Sequence, residues 1–121
     1  MKKVLLFLSV MIVLFGCSAK VHKNISEDMA KDTEQILSIF DKAIEEDEDI
    51  SEKDKEIMLH YQAAYGADTS KLSEEENRLY ILTEKLIDTP ELFITLESDK
   101  ERFQQSKKEI QNVIKTGEIY D

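Results

Sequence analysis

The chain of 121 residues has one cysteine, one proline and three glycines, and each scarcity closes a route. A lone cysteine leaves no disulfide framework and no redox pair. From Ser26 to the C-terminus only Pro90, Gly66 and Gly117 can interrupt a helix on backbone grounds. Strand-like alternation is nowhere sustained, which removes a sheet. Basic residues are also few. Beyond Ser26 there are 12 of them against 26 acidic ones, so that stretch carries 12 − 26 = −14. A body of that charge is repelled by phosphate backbones, and a nucleic-acid partner is disfavoured. Anionic lipid repels it as well, and a high net charge by itself also promotes solubility.

No hydrophobic run is long enough to span a bilayer, which needs about 20 apolar residues. The longest, Val4 to Phe15, contains only Ser9 as a polar residue, follows Lys2 and Lys3, and ends at Gly16 and Cys17. A basic start, a short apolar centre and a small residue at its end are the three parts of a secretory signal. The lysines hold the start in the cytosol while the apolar part enters the export channel.

Leu14-Phe15-Gly16-Cys17 resembles the lipobox of bacterial lipoproteins: Leu, a small residue, Gly or Ala, then Cys. Phe15 stands where that family usually has a small residue. The resemblance covers the first seventeen residues. It implies a diacylglyceryl group on the Cys17 sulfur and cleavage between Gly16 and Cys17. Residues 1–16 would then be a signal peptide, 17–25 a lipidated tether and 26–121 an acidic helical domain. A thiolate is the nucleophile that such lipid transfer needs. Two acyl chains hold a protein stably where one does not, so the membrane is the first partner and its extracytoplasmic face the location. The tether from Ser18 to Ile25 would reach about 28 Å. With Lys20, His22 and Lys23 it could lie at the headgroups while the body stands off. An ordinary secretory signal, or a hydrophobic start on a cytosolic chain, would instead leave Cys17 incidental.

The body reads as all-α, a small antiparallel bundle of three or four helices. Met29, Thr33, Ile36, Phe40 and Ala43 recur at helical spacing behind Ser26, with Glu27 and Asp28 favourable in the first turn. Ile50 keeps the same register, so one helix over 26–65 competes with two. A break near 48–50 is preferred because it removes Asp47 and Asp54 from the buried face. Ser51-x-x-Asp54 opens the next helix, with Ile57, Tyr61 and Ala64 as its stripe and Gly66 as a left-handed terminator. Ser73-x-x-Glu76 is a full capping box ahead of Leu79, Leu82 and Leu86. Thr89 and Pro90 then suit the cap and first position of a last helix. That helix carries Leu92, Leu96, Phe103, Ile110 and Val113 and reaches 115 or 116, with a kink at Ser98-Asp99.

Little supports catalysis. Read as a calcium loop from Asp47, the acidic run puts Glu52 where glycine is needed and Met58 where the final glutamate belongs. It reads better as a solvated helix end. His60 sits four residues after Glu56, but residue 57 is Ile where a di-iron motif needs Glu, and His22 lies in the tether. No nucleophile elbow or phosphate-cradling glycine loop exists. The chain reads as non-enzymatic, with no cofactor and no metal site.

The stretch 79–96, LYILTEKLIDTPELFITL, has more apolar surface than one face requires. Tyr80, Ile81, Ile87, Phe93 and Ile94 spread around the Leu79–Leu82–Leu86 stripe. Such a segment is central in its bundle or covered by a partner. The second alternative makes those five residues a candidate partner surface. Three functions follow. The chain is a membrane-anchored module that binds a protein or envelope component. Or it is a surface exclusion or immunity lipoprotein of a prophage or conjugative element. Or it is the precursor of a pheromone, since SVMIVLFG resembles the excised signal tails used in that way.

Overall fold

Ser26 starts the first helix as its residue type requires. Its Oγ accepts the Met29 N–H at 3.1 Å, and Glu27 and Asp28 lie in the electropositive first turn. The computed structural model describes residues 20–119, and every element among them is helical. Helix α1, Glu27–Glu46, buries the expected stripe together with Ala30, Leu37 and Ile39. It ends at Asp47, which is left-handed (φ 53°). Asp tolerates that conformation better than most side chains. The chain therefore breaks between 47 and 51, and Ile50 turns back into the core.

Helix α2, Glu52–Gly66, is capped by Ser51, whose Oγ accepts the Asp54 N–H at 3.2 Å. Met58 and Tyr61 carry its buried contact, Ile57 packs only in part, and Ala64 is exposed. Gly66 is not the left-handed terminator expected. It is the last residue of the helix, and the positive-φ residues described are Asp47 and Gly117 alone. Its reason is steric: a Cβ there would sit 2.7 Å from Tyr80 Cζ. After a single 3-10 turn, Thr69–Lys71, the Ser73–Glu76 box opens α3, Glu74–Asp88, with both reciprocal bonds made.

The last helix differs from the expectation. Thr89 does not cap it; the hydroxyl donates backward to the Lys85 carbonyl at 3.2 Å. Pro90 precedes a four-residue helix, α4, Glu91–Ile94, and the long helix α5, Glu97–Thr116, begins anew. The break falls at Thr95 and Leu96, ahead of Ser98-Asp99. Asp99 explains it: the carboxylate reaches back to accept the Leu96 N–H at 3.1 Å, satisfying a helix-start donor. This also accounts for an acid on the buried stripe. Gly117 ends α5 in the left-handed conformation (φ 79°), and its N–H returns to the Val113 carbonyl at 2.7 Å.

The four long helices form a bundle in which α1 and α3 run one way and α2 and α5 the other. The Asp32–Tyr65 and Thr33–Tyr61 pairs place the start of α1 beside the end of α2. Arg78 Nη1 donates to the Gly117 carbonyl at 3.1 Å, which places the start of α3 beside the end of α5. Phe40 lies at the centre of the core. It stacks on Phe103 at 5.4 Å and meets Phe93 edge-on at 6.5 Å. Such ring pairs add about 0.5–1.5 kcal/mol each beyond the area they bury. None of the described helices is long and apolar enough to cross a membrane.

Candidate functional site

Gly16 and Cys17, the cleavage and lipidation positions, lie outside the described residues. The chain that leads from them is packed on the body from Val21 onward. His22 N–H donates to the Ile114 carbonyl at 2.7 Å, Asn24 Nδ2 donates to Glu75 at 3.0 Å, and Ile25 is buried. Ser73 Oγ donates to the Asn24 carbonyl. The last five residues of the stretch read as tether, Val21 to Ile25, are therefore part of the folded body. They enter it at the end where α1 and α3 start and α5 finishes, here termed the near end.

Glu76 ties that end together. One carboxylate oxygen accepts the Ser73 N–H at 2.9 Å, completing the α3 capping box, and the other accepts the Ser26 N–H at 3.0 Å. A single side chain thus holds the caps of two helices. Partial burial acts to raise its pKa, but the bonds from Ser73 and Ser26 outweigh that and hold the group below the ordinary carboxylate value.

Of the five residues of the candidate partner surface, only Ile81 is exposed. Tyr80 is buried and stacks on Tyr61 at 5.9 Å; Ile87 is buried; Phe93 is buried against Phe40; Ile94 packs partly on the core. The partner surface is thereby corrected to a core hairpin. Helix α3 touches α1, α2 and α5, so three neighbours cover what one could not.

The exposed large apolar side chains among the described residues are Leu59 (63%), Ile81 (48%), Leu92 (49%) and Leu96 (60%). Leu92 and Leu96 are thus turned out of the core stripe to which helical spacing assigns them. The Thr95–Leu96 break is the cause, because it rotates α4 so that Phe93 and Ile94 face inward instead. The available signal was Glu97 and Asp99, two acids in what proves to be a first turn. The pair lies at the far end of the bundle. There α1 and α3 finish and α5 starts, as the Phe40–Phe93 contact and the 2.7 Å Lys107–Asp41 ion pair show. The acidic run from Glu45 to Asp49 occupies the same end and is exposed throughout.

Between α1 and α2 lies an open groove of about 320 Å³, lined by Asp32, Gln35, Ile36, Ile57, His60 and Tyr61, among others. Beneath it, Thr33 Oγ1 donates to the Met29 carbonyl at 2.7 Å, so its single proton is used. The Tyr61 hydroxyl must then donate to Thr33, at 2.8 Å. Burial pushes Tyr61 up to about 12, and a bond donated by the neutral phenol acts in the same direction. Tyr65 is raised by burial and by the neighbouring Asp32 carboxylate to which it donates, and Tyr80 by burial and by Glu84 and Asp88. Raised phenols are poor bases near neutrality, and these side chains serve as packed hydrogen-bond donors. Among the described residues no three His, Cys, Asp or Glu side chains converge in a way that could hold a metal ion.

Comparison with protein-family models, with curated proteins and with solved structures gave no match for this chain.

Proposed function

We propose that the chain is a membrane-anchored binding module: a helical body held through acyl chains on Cys17 at the extracytoplasmic face of a bacterial membrane, where it contacts a protein or envelope component without catalysis. The observation that carries this reading is the position of Cys17 directly after Gly16 at the end of a signal-like apolar run. The docking of residues 21–25 at the near end supports it. Only Ser18, Ala19 and Lys20 would separate the lipidated residue from the docked segment. At about 3.5 Å per residue the body would be held close to the bilayer, with the far end directed away from it.

The test is the mass and location of the protein recovered from cells. Wild type is expected to begin at residue 17, to carry acyl mass and to fractionate with membranes, while Cys17→Ser loses the acyl mass and the membrane association. Recovery of unprocessed chain with residues 1–16 attached, or of unacylated chain in the cytosol, would overturn the reading.

A further inference from the structure

We propose that Leu92 and Leu96 form a docking surface for a basic, amphipathic helical segment of another protein. The proposal rests on the anchored-module reading and deepens it by naming the contacting end and the partner's chemistry. Two of the four exposed large apolar side chains among the described residues stand four residues apart on one short segment, α4 and the two residues that follow it. Phe93 and Ile94 hold this segment from beneath by packing on the core. The leucines are therefore presented on a supported platform, and a helix of this length would not persist without that support.

Charge selects the occupant. Glu91 and Glu97 flank the leucines in sequence, and the exposed run from Glu45 to Asp49 lies at the same end. The ion pairs at this end, Asp41 with Lys107 and Glu97 with Lys100, leave the carboxylates of that run unengaged. A second copy would bring a like-charged end against this one, which the net −14 of the body (12 basic, 26 acidic) opposes. A lipid surface offers no net positive charge, and the chain enters the body at the opposite end. A segment with leucine-like anchors on one side and lysine or arginine around them satisfies both features: the apolar pair supplies affinity and the acidic rim steers the encounter.

The experiment uses full-length acylated protein reconstituted in phosphatidylcholine vesicles. It is titrated with a fluorescent synthetic helical peptide of leucines and lysines, and empty vesicles serve as the blank. A second peptide has every leucine replaced by serine. The double variant Leu92→Ser/Leu96→Ser is expected to bind the first peptide about tenfold or more weakly, with Ile81→Ser and Leu59→Ser close to wild type. The serine peptide is expected to bind all proteins weakly and alike. Circular dichroism of each variant confirms the fold. Equal binding of the first peptide by wild type and the double variant overturns the proposal, as does loss of binding with Ile81→Ser or Leu59→Ser instead. So does a second copy, rather than a basic protein, as the product of photocrosslinking from Leu92→p-benzoyl-Phe on intact cells. The acyl mass of the same preparation is read separately. Acyl mass with equal binding sinks the docking surface alone, whereas missing acyl mass sinks the anchored reading.

Discussion

The Glu76 carboxylate accepts the backbone N–H of Ser26, fifty residues earlier in the chain, while it also closes the capping box of its own helix. The entry segment and α3 are thus joined by one charge. Because the folded pKa of Glu76 is depressed, its contribution is present above the unfolded value near 4.5 and is lost as pH falls through the folded value. Urea titrations at pH 7 and in the acid range should show Glu76→Gln less stable at neutral pH by about 1–2 kcal/mol, a typical loss for bonds to a charged acceptor. The gap to wild type should narrow as pH falls through the folded pKa. A gap that does not change with pH would contradict the charged acceptor.

Gly66 and Tyr80 set a second expectation. Gly66 ends its helix without a positive φ, so helix propensity, at most the ~1 kcal/mol by which Ala beats Gly in an interior, makes Gly66→Ala stabilising. The structure reverses the sign, since the new Cβ would strike the Tyr80 ring, which is buried and stacked on Tyr61. Overpacking of this kind costs about 1–3 kcal/mol. Thermal unfolding of Gly66→Ala should therefore show a net loss, relieved in part by Tyr80→Phe, which removes the hydroxyl oxygen. A gain in melting temperature would deny the contact.

The tyrosines provide an alkaline signature. Tyr61 ionises in the unfolded chain near 10 and in the fold only near 12, so its contribution is complete below pH 10 and is lost as pH rises through about 12. For this buried group the effect is on the order of 2–3 kcal/mol. Ultraviolet titration should show Tyr61, Tyr65 and Tyr80 ionising late, together with the loss of helical circular dichroism. Tyr61→Phe should remove part of the alkaline destabilisation while weakening the fold at pH 7 by about 1 kcal/mol through the lost Thr33 bond.

Asp99 holds the junction that presents Leu92 and Leu96. Asp99→Ala removes the acceptor of the Leu96 N–H and should lower stability by about 0.5–2 kcal/mol, as loss of a helix-start bond does. Hydrogen exchange should quicken at Leu96 and through α4 before it does so in α1. Unchanged exchange at Leu96 would show that the carboxylate does not hold this turn.

What could be read without a structure was local. Ser26, Ser51 and Ser73 cap helices within three residues of themselves, Gly117 stops one, and the Met29–Ala43 stripe declares a buried face; each needs only near neighbours in the chain. The lipobox resemblance at Gly16–Cys17 is equally local and lies outside the described residues. Tertiary packing decided the rest. Tyr80 and Ile87 became core because three helices surround α3, Phe93 because α4 packs on α1 and α5, and Gly66 is required by a ring fourteen residues on. Residues 21–25 joined the body because acceptors on α3 and α5 happened to be within reach of the N–H groups of His22 and Asn24. Leu92 and Leu96 face water because one carboxylate restarts a helix and rotates the turn before it. Helical periodicity records which residues share a face, whereas the side of the molecule on which that face ends depends on groups far away in sequence.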